Sequence, residues 1–329
     1  MCNLCNTVKI GTEFTFRKDN YLFGIKDLER GKDRCMSQIV EAGAEINRWT
    51  TEIAKAKGKK YNRATVYDIQ VSDGIKKHES LHYNAKKVKF IFHDNRQPKN
   101  QCVEWCVNFD LDPMCIELQA DPVTYQFYET YEEVIQDLIF AKTTCIPEPR
   151  CDVGGGGHIS LDLTTAFEND PQYLRNFLVL YEAMSNNEQN EGSILRRSQD
   201  IVNAPYMYEI NERGAFINVI GEFNKLPPAK ATMDCLVGEI NKRVYTERHE
   251  GLPIEEAPKG DEPHYQAVNL EHVLSNTPPE QRRVEMRRFN AQQNVRELLN
   301  ELDELYHLLY LSRESVKMNL GVDGRVVRE

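Results

Sequence analysis

Nine consecutive residues, Val103 to Leu111, alternate without a break. Val103, Trp105, Val107, Phe109 and Leu111 are apolar, and Glu104, Cys106, Asn108 and Asp110 stand between them. Only an extended strand puts all five apolar groups on one side, because successive side chains then point to opposite faces. The same period recurs at Val8–Phe16, where Val8, Ile10, Thr12, Phe14 and Phe16 oppose Lys9, Gly11, Glu13 and Thr15. It recurs again where Ile116 and Leu118 oppose Glu117 and Gln119, and where Ile159, Leu161 and Leu163 oppose His158, Ser160 and Asp162. Thr65–Val71, Lys87–Phe92, Phe216–Phe223 and Arg283–Asn290 read as further strands. In the last, Glu285 and Arg287 share a face while Val284 and Met286 point inward. Strands with one apolar face belong to an antiparallel sheet that rests on a core with one side only.

Helical spacing fills the gaps between these strands. Asp33–Lys57 is amphipathic, with Met36, Ile39, Ile46 and Ile53 as core candidates. Thr130–Glu133 reads as a capping box ahead of Val134, Leu138 and Ala141. Asp170 and Pro171 give an N-cap and a first-turn proline to a helix carrying Leu174, Phe177, Leu178, Tyr181 and Met184. A C-terminal helix within residues 291–318 carries Val295, Leu298, Leu302, Leu305 and Leu309, either to cover the core or to form a dimer seam. The expected fold class is therefore α+β, a mainly antiparallel sheet backed by helices, in one domain over residues 1–329. Residues 225–263 are rich in proline and charge and read as a flap or insertion, or equally as a surface excursion.

Composition removes some functions. The 329-residue chain carries a net charge of −10, against a general nucleic-acid binder, whose affinity comes from cationic contacts to phosphate. No apolar run is long enough to span a bilayer, and the N-terminus shows no apolar signal segment, so no membrane partner is expected and the cytoplasm is the expected compartment. The nine cysteines are scattered and odd in number, which fits reduced thiols. Cys2 and Cys5 form a CxxC, but no second pair completes a zinc site. The basic run Lys55–Lys60 is expected to be a solvated turn.

Chemistry concentrates on the polar faces of the strands. Glu13, Asp110, Glu117, His158, Glu285 and Arg287 all fall there, and carboxylate and imidazole are the groups that hold divalent metals. Taken singly, each is ordinary for a sheet face turned to water. Together they are less ordinary, because lone acids recur strand after strand, a histidine follows four glycines, and an arginine lies two residues from an acid. The glycines, Gly154 to Gly157, form a flexible turn or let a nucleotide approach the backbone closely. They are not a P-loop, since no Gly-Lys-Ser/Thr follows.

The order of these motifs resembles the amidoligase family, carboxylate–amine ligases with a glutamine synthetase-like fold. The resemblance rests on Gly11 to Phe16, Trp105 to Asp110, Ile116 to Leu118, Ile146 to Pro149, Gly155 to Leu161, His264 to Leu270 and Val284 to Phe289. It runs in islands from about residue 8 to residue 310. It implies a strongly curved antiparallel sheet forming a funnel with helices behind it. It further implies that Glu13, Glu117 and Glu285 hold Mg²⁺ or Mn²⁺ against ATP, with His158 on metal or phosphate. Arg287, with Arg196 or Arg197, would stabilise the transferring phosphoryl group, and Asp110 joins this catalytic set. Gly155, Gly156, Gly157, Ser160 and Asn269 would line the nucleotide. The implied reaction joins a carboxylate to an amine through an acyl phosphate; the substrates are small molecules, a peptide or a protein, and the assembly a monomer or a homo-oligomer. One departure stands out: the family's first motif carries two acids two residues apart, and here the second position is Thr15. Asp110 or Asp112 could compensate. A phosphotransferase of the same fold, or a binding protein that has lost turnover, remains as an alternative.

Overall fold

A computed structural model describes residues 3–17, 32–76, 83–98, 101–112, 115–147, 157–185, 210–248, 267–287, 289, 291–314, 317–321 and 325–328. The chain divides into two compact units, Ile10–His158 with Asn290–Asn300, and Met1–Lys9 with Ile159–Phe289 and Glu301–Glu329. Both combine sheet and helix, and every strand pairing given below is antiparallel.

The first unit is built on β1 (Ile10–Arg17), β2 (Ala64–Asp73), β3 (Lys86–Asp94), β4 (Cys102–Asp112) and β5 (Cys115–Val123), in the order β2-β3-β4-β5-β1. The short β6 (Ile146–Pro147) pairs with the far end of β1. The register follows the alternation. Phe14 and Phe16 of β1, Val88, Phe90 and Phe92 of β3, Trp105, Val107, Phe109 and Leu111 of β4, and Leu118 of β5 are all buried. Val103 is the exception at 42 % exposure, because it lies near the end of its strand.

Two helices cover that apolar face. In α1 (Lys32–Ala54), Ile39, Ile46, Trp49 and Ile53 are buried, and the Trp49 ring meets Phe16 at 4.9 Å and Phe109 at 5.2 Å, both edge-on. Such aromatic contacts add to the burial of area itself. In α2 (Tyr125–Ile135), Phe127 and Tyr131 pack on Trp105 and Phe92 with ring centroids 5.5 and 5.0 Å apart. This helix starts earlier than its sequence suggests. Thr124 is the N-cap, its hydroxyl accepting from the Phe127 N–H, and Thr130 is a buried residue of the second turn. The aromatic stripe Phe127, Tyr128 and Tyr131 extends the buried face one turn further than the capping-box pattern. A π turn, Gln136–Phe140, follows it, and Phe140 packs against Phe14 and Phe16 beneath β1.

Beyond that turn the chain is fastened to α1. Glu45, 6 % exposed, accepts from the Arg48 guanidinium at 2.8 and 2.6 Å, from the Thr143 hydroxyl at 3.2 Å and from the Thr144 N–H at 3.0 Å. Burial pushes its carboxyl up, but the Arg48 and Thr144 donors outweigh that and hold it below its ordinary 4.5. A carboxylate whose pKa is lower folded than unfolded stabilises fully above the unfolded value, and the contribution fades as pH falls toward the folded one. Glu45→Gln is therefore expected to lower the urea midpoint at about pH 7 and to narrow its gap from the parent at about pH 3. An equal gap at both pH values would remove the ionised carboxylate from the explanation.

The second unit contains β7 (His158–Asp162, of which His158 belongs to the first unit), β8 (Val268–Asn269) and β9 (Arg283–Met286), with β9 between the other two. Asp162 ends β7 and caps α3 (Leu163–Phe167) by accepting from the Thr165 N–H at 2.8 Å. Then come α4 (Pro171–Ser185), α5 (Ile210–Phe223) and α6 (Met233–Arg248). The expected strand at Phe216–Phe223 is thus a helix. Phe216, Val219, Ile220 and Phe223, spaced by threes and fours, are its buried stripe, and the β-branched residues among them mimic a strand. Much of the segment from 225 onward is α6 with its buried Leu236, Val237, Ile240 and Val244, while residues 249–266 lie outside the described residues. The C-terminal helix α7 is Val295–Ser312, shorter than 291–318; Leu302, Leu305 and Leu309 are buried within this chain, so its stripe covers core. A small hairpin follows, β10 (Met318–Leu320) with β11 (Val326–Arg328).

Among the described residues no helix is long and apolar enough to cross a membrane. The basic run is tied into ion pairs, Lys55 with Glu52, Lys57 with Asp68 and Lys59 with Asp137. Among the described residues Cys102, Cys106 and Cys235 are free thiols.

Candidate metal centre

The helices of the first unit cover one face of its sheet, and the other carries the polar side chains in two rows. Direct register aligns Glu13 of β1 with Gln119 of β5, Gln119 with Asn108 of β4, and Asn108 with Lys87 of β3. One step along, Thr15 faces Glu117 and Glu117 faces Asp110. Residues facing each other across an antiparallel ladder point to the same side. Three acids read from the sequence, Glu13, Glu117 and Asp110, therefore share one face.

That face is less open than the alternation suggests. Asp110 is fully buried, Glu117 is 2 % exposed and Thr15 4 %. Asp110 Oδ1 accepts from the Leu111 N–H at 2.7 Å and from the Tyr83 hydroxyl. Asn108 is half-buried and is engaged by the backbone of Ile75, whose N–H donates to Oδ1 (3.2 Å) and whose carbonyl accepts from Nδ2 (3.1 Å). The approach requires glycine at position 74, where a Cβ would fall 2.4 Å from Asn108 Oδ1 and 2.8 Å from the Lys86 backbone. Glu117 Oε1 accepts from Gln119 Nε2 at 2.9 Å. Burying an ionised carboxylate costs several kcal/mol unless charge or hydrogen bonds compensate, so these acids are not ordinary surface.

His158 belongs to the same unit. It is 8 % exposed, and its Nδ1 lies 2.7 Å from Oε2 of Glu13, whose side chain is 26 % exposed. A carboxylate on one ring nitrogen fixes the tautomer and raises the basicity of the other, the arrangement in which histidines ligate metals.

In the second unit Glu285 is the middle of a three-strand row, facing Ser160 of β7 on one side and Asn269 of β8 on the other. It is 4 % exposed. Its Oε2 accepts from Asn269 Nδ2 at 2.9 Å and its Oε1 from Arg287 Nη1 at 2.6 Å. Arg287, itself 8 % exposed, is anchored by its own N–H on the Ala267 carbonyl at 2.9 Å, and Asn269 Oδ1 accepts from the Glu271 N–H at 3.0 Å. The sequence-derived neighbours Asn269, Glu285 and Arg287 thus form one buried hydrogen-bonded group, with Ser160 opposite it.

Gly155, Gly156, Arg196 and Arg197 lie outside the described residues, as do Cys2 and His264. Gly157 is described and packs against Gln292. Three side chains that contact the predicted residues were not singled out by the sequence: Tyr83, Gln119 and Gln292. Of these only Gln119 carried a local signal, lying two residues from Glu117 on the same strand face. Comparison of the chain with protein-family models, with curated proteins and with solved structures finds no match in any of the three.

Proposed function

We propose that the chain is a divalent-cation-dependent carboxylate–amine ligase with a glutamine synthetase-like curved sheet, using ATP to join an acid to an amine. The observation that carries the reading lies in the first unit: Glu13 Oε2 and His158 Nδ1 are 2.7 Å apart, Glu117 and Asp110 share the Glu13 face of the sheet, and the resemblance adds Glu285. A cation is the simplest partner for a carboxylate and an imidazole held side by side on a face that carries further buried acids. Oxygen donors suit the hard ions Mg²⁺ and Mn²⁺, and the imidazole tilts the preference toward Mn²⁺.

Each residue then has a task that elementary chemistry requires. Glu13 and Glu285 supply negative charge to the cation. Glu13 also aligns the His158 ring, as the 2.7 Å contact to Nδ1 favours. Arg287 and Asn269 hold both oxygens of Glu285, so that the carboxylate keeps its direction before a cation arrives. Glu117 and Asp110, buried side by side in register, add negative charge on the Glu13 face of the sheet. A carboxylate is a poor acylating agent, and bound ATP would supply the phosphoryl group that turns it into an acyl phosphate. Phosphoryl transfer asks for positioning and charge neutralisation more than covalent help. Carboxylates and an imidazole placed as these are provide both, and they act as electrostatic tools with no need of a nucleophile. The ATP part of the proposal rests on the resemblance, since four of its phosphate-facing residues lie outside the described ones.

A second reading has its own support. Thr15 faces Glu117 where the family carries a second acid, and both Glu285 oxygens already have donors. That favours a binding protein that keeps the sheet without turnover. ADP release in the presence of Mn²⁺ or Mg²⁺ and panels of acids and amines separates the two. On the ligase reading, Glu117→Gln and Glu285→Gln each lower ADP release at least about 100-fold with an unchanged circular dichroism spectrum. Normal turnover by either variant removes that residue from its assigned role, and cation binding without any turnover by the parent protein selects the second reading.

A further inference from the structure

Gly157, the residue before His158, is pressed against a side chain from a distant part of the sequence. A Cβ built on Gly157 would lie 2.1 Å from Nε2 of Gln292 and 2.4 Å from its Cδ and its Oε1. Van der Waals contact between such atoms begins well beyond 3 Å. The room that any other residue would fill with its Cβ is therefore taken by the Gln292 carboxamide. Gln292 is 2 % exposed, and its Nε2 also donates to the Gly157 carbonyl at 3.4 Å. The segment that carries it is held firmly. Ala291 and Val295 are buried, the Val295 N–H donates to Gln136 Oε1 at 3.0 Å, and the Gln293 N–H donates to Glu297 at 2.6 Å. The carboxamide is a fixed wedge, and the peptide it bears on leads directly into His158, whose Nδ1 meets Glu13.

We propose that Gln292 is the positioning residue of His158. Its carboxamide fills the Cβ space of residue 157 and grips that residue's carbonyl, which fixes where β7 begins and where the imidazole points. Glycine at 157 is required to seat this amide. A nucleotide is not what claims the space beside it, contrary to one reading of the four-glycine run. The geometric part needs no cation; the part concerning metal affinity rests on the function proposed above.

Four variants test it, Gly157→Ala, Gln292→Ala, Gln292→Met and the double variant Gly157→Ala/Gln292→Ala. Two readouts are taken on each full-length protein: the ¹⁵N shifts and pH titration of the His158 imidazole without metal, and the affinity for Mn²⁺ by electron paramagnetic resonance. Gly157→Ala should expel the amide, erase the imidazole signature of the Glu13 contact and weaken Mn²⁺ binding about tenfold, the lower end for losing a support of a ligating histidine. The double variant should fall no further than Gln292→Ala alone, because with alanine at 292 the added methyl has no amide to displace. Gln292→Ala alone should blur the signature, and Gln292→Met, which keeps the shape, should retain it.

Additive losses in the double variant would overturn the proposal. So would an imidazole signature unchanged in all four, since a merely structural glutamine would move stability alone. Should Gly157→Ala not fold, the contrast between Gln292→Ala and Gln292→Met decides, and no difference between them counts against the wedge. If the parent protein takes no Mn²⁺, the cation reading fails by itself while the imidazole readout still judges this one.

Discussion

Replacing Glu13 and His158 together with alanine is expected to raise the dissociation constant for Mn²⁺ at least about 100-fold, close to 2.8 kcal/mol at 1.4 kcal/mol per tenfold. The reasoning starts from the weaker case: losing a group that merely supports a ligating histidine costs 10- to 100-fold in affinity. Here the histidine goes together with the carboxylate that aligns it, so the upper end is the floor. Each single variant should show most of the effect, because alanine at 13 leaves the His158 ring without the 2.7 Å contact to Nδ1. Calorimetric titration of the three variants reads this directly. Additive small losses would say that the two residues do not act as a unit.

The second large effect concerns stability. Arg287→Ala is expected to cost about 3–5 kcal/mol, because it leaves Glu285 charged and buried without its guanidinium. The pair is nearly out of water, at 8 % and 4 % exposure, so solvent cannot replace what is lost. Two controls make the cause visible. Glu285→Gln/Arg287→Met removes both charges and should recover most of the loss, since a buried pair exchanged for neutral groups of similar volume is often close to neutral. Saturating Mn²⁺ should also recover part of it in Arg287→Ala, because a cation at Glu285 supplies the missing positive charge and binds only the folded state. Chemical denaturation with and without Mn²⁺ measures both. A deficit that Mn²⁺ leaves unchanged would place Glu285 outside the cation's reach.

The strands were legible where one face is apolar, save for Thr12 in β1, and the other polar, as in β1 and β4, for period two has no helical counterpart at that length. Phe216–Phe223 shows how the same habit misleads. Its β-branched residues suggest a strand, yet Phe216, Val219, Ile220 and Phe223 are buried at helical spacing, and tertiary packing decided the outcome. The start of α2 was hidden by a weaker competitor, the Thr130 capping box, while Thr124 does the capping.

The candidate site divides in the same way. Alternation puts Glu13, Glu117 and Asp110 on one side of their strands, and the register adds that these sides coincide. Sequence could not reveal that Asp110 is buried under a hydrogen bond from Tyr83, a residue 27 positions away in the chain. Nor could it reveal Gln292, whose role depends on an atom that Gly157 lacks. Residues that hold the reactive groups are chosen by three-dimensional contact, and a linear pattern does not encode such contacts.

Crystals soaked in Mn²⁺ and recorded at the manganese absorption edge test the central claim most directly. The account predicts an anomalous peak bonded to a carboxylate oxygen of Glu13, a ring nitrogen of His158 and a carboxylate oxygen of Glu285, lost in Glu13→Ala/His158→Ala crystals soaked identically. A fully occupied Mn²⁺ site elsewhere, with these three side chains still bonded only to protein, would contradict it.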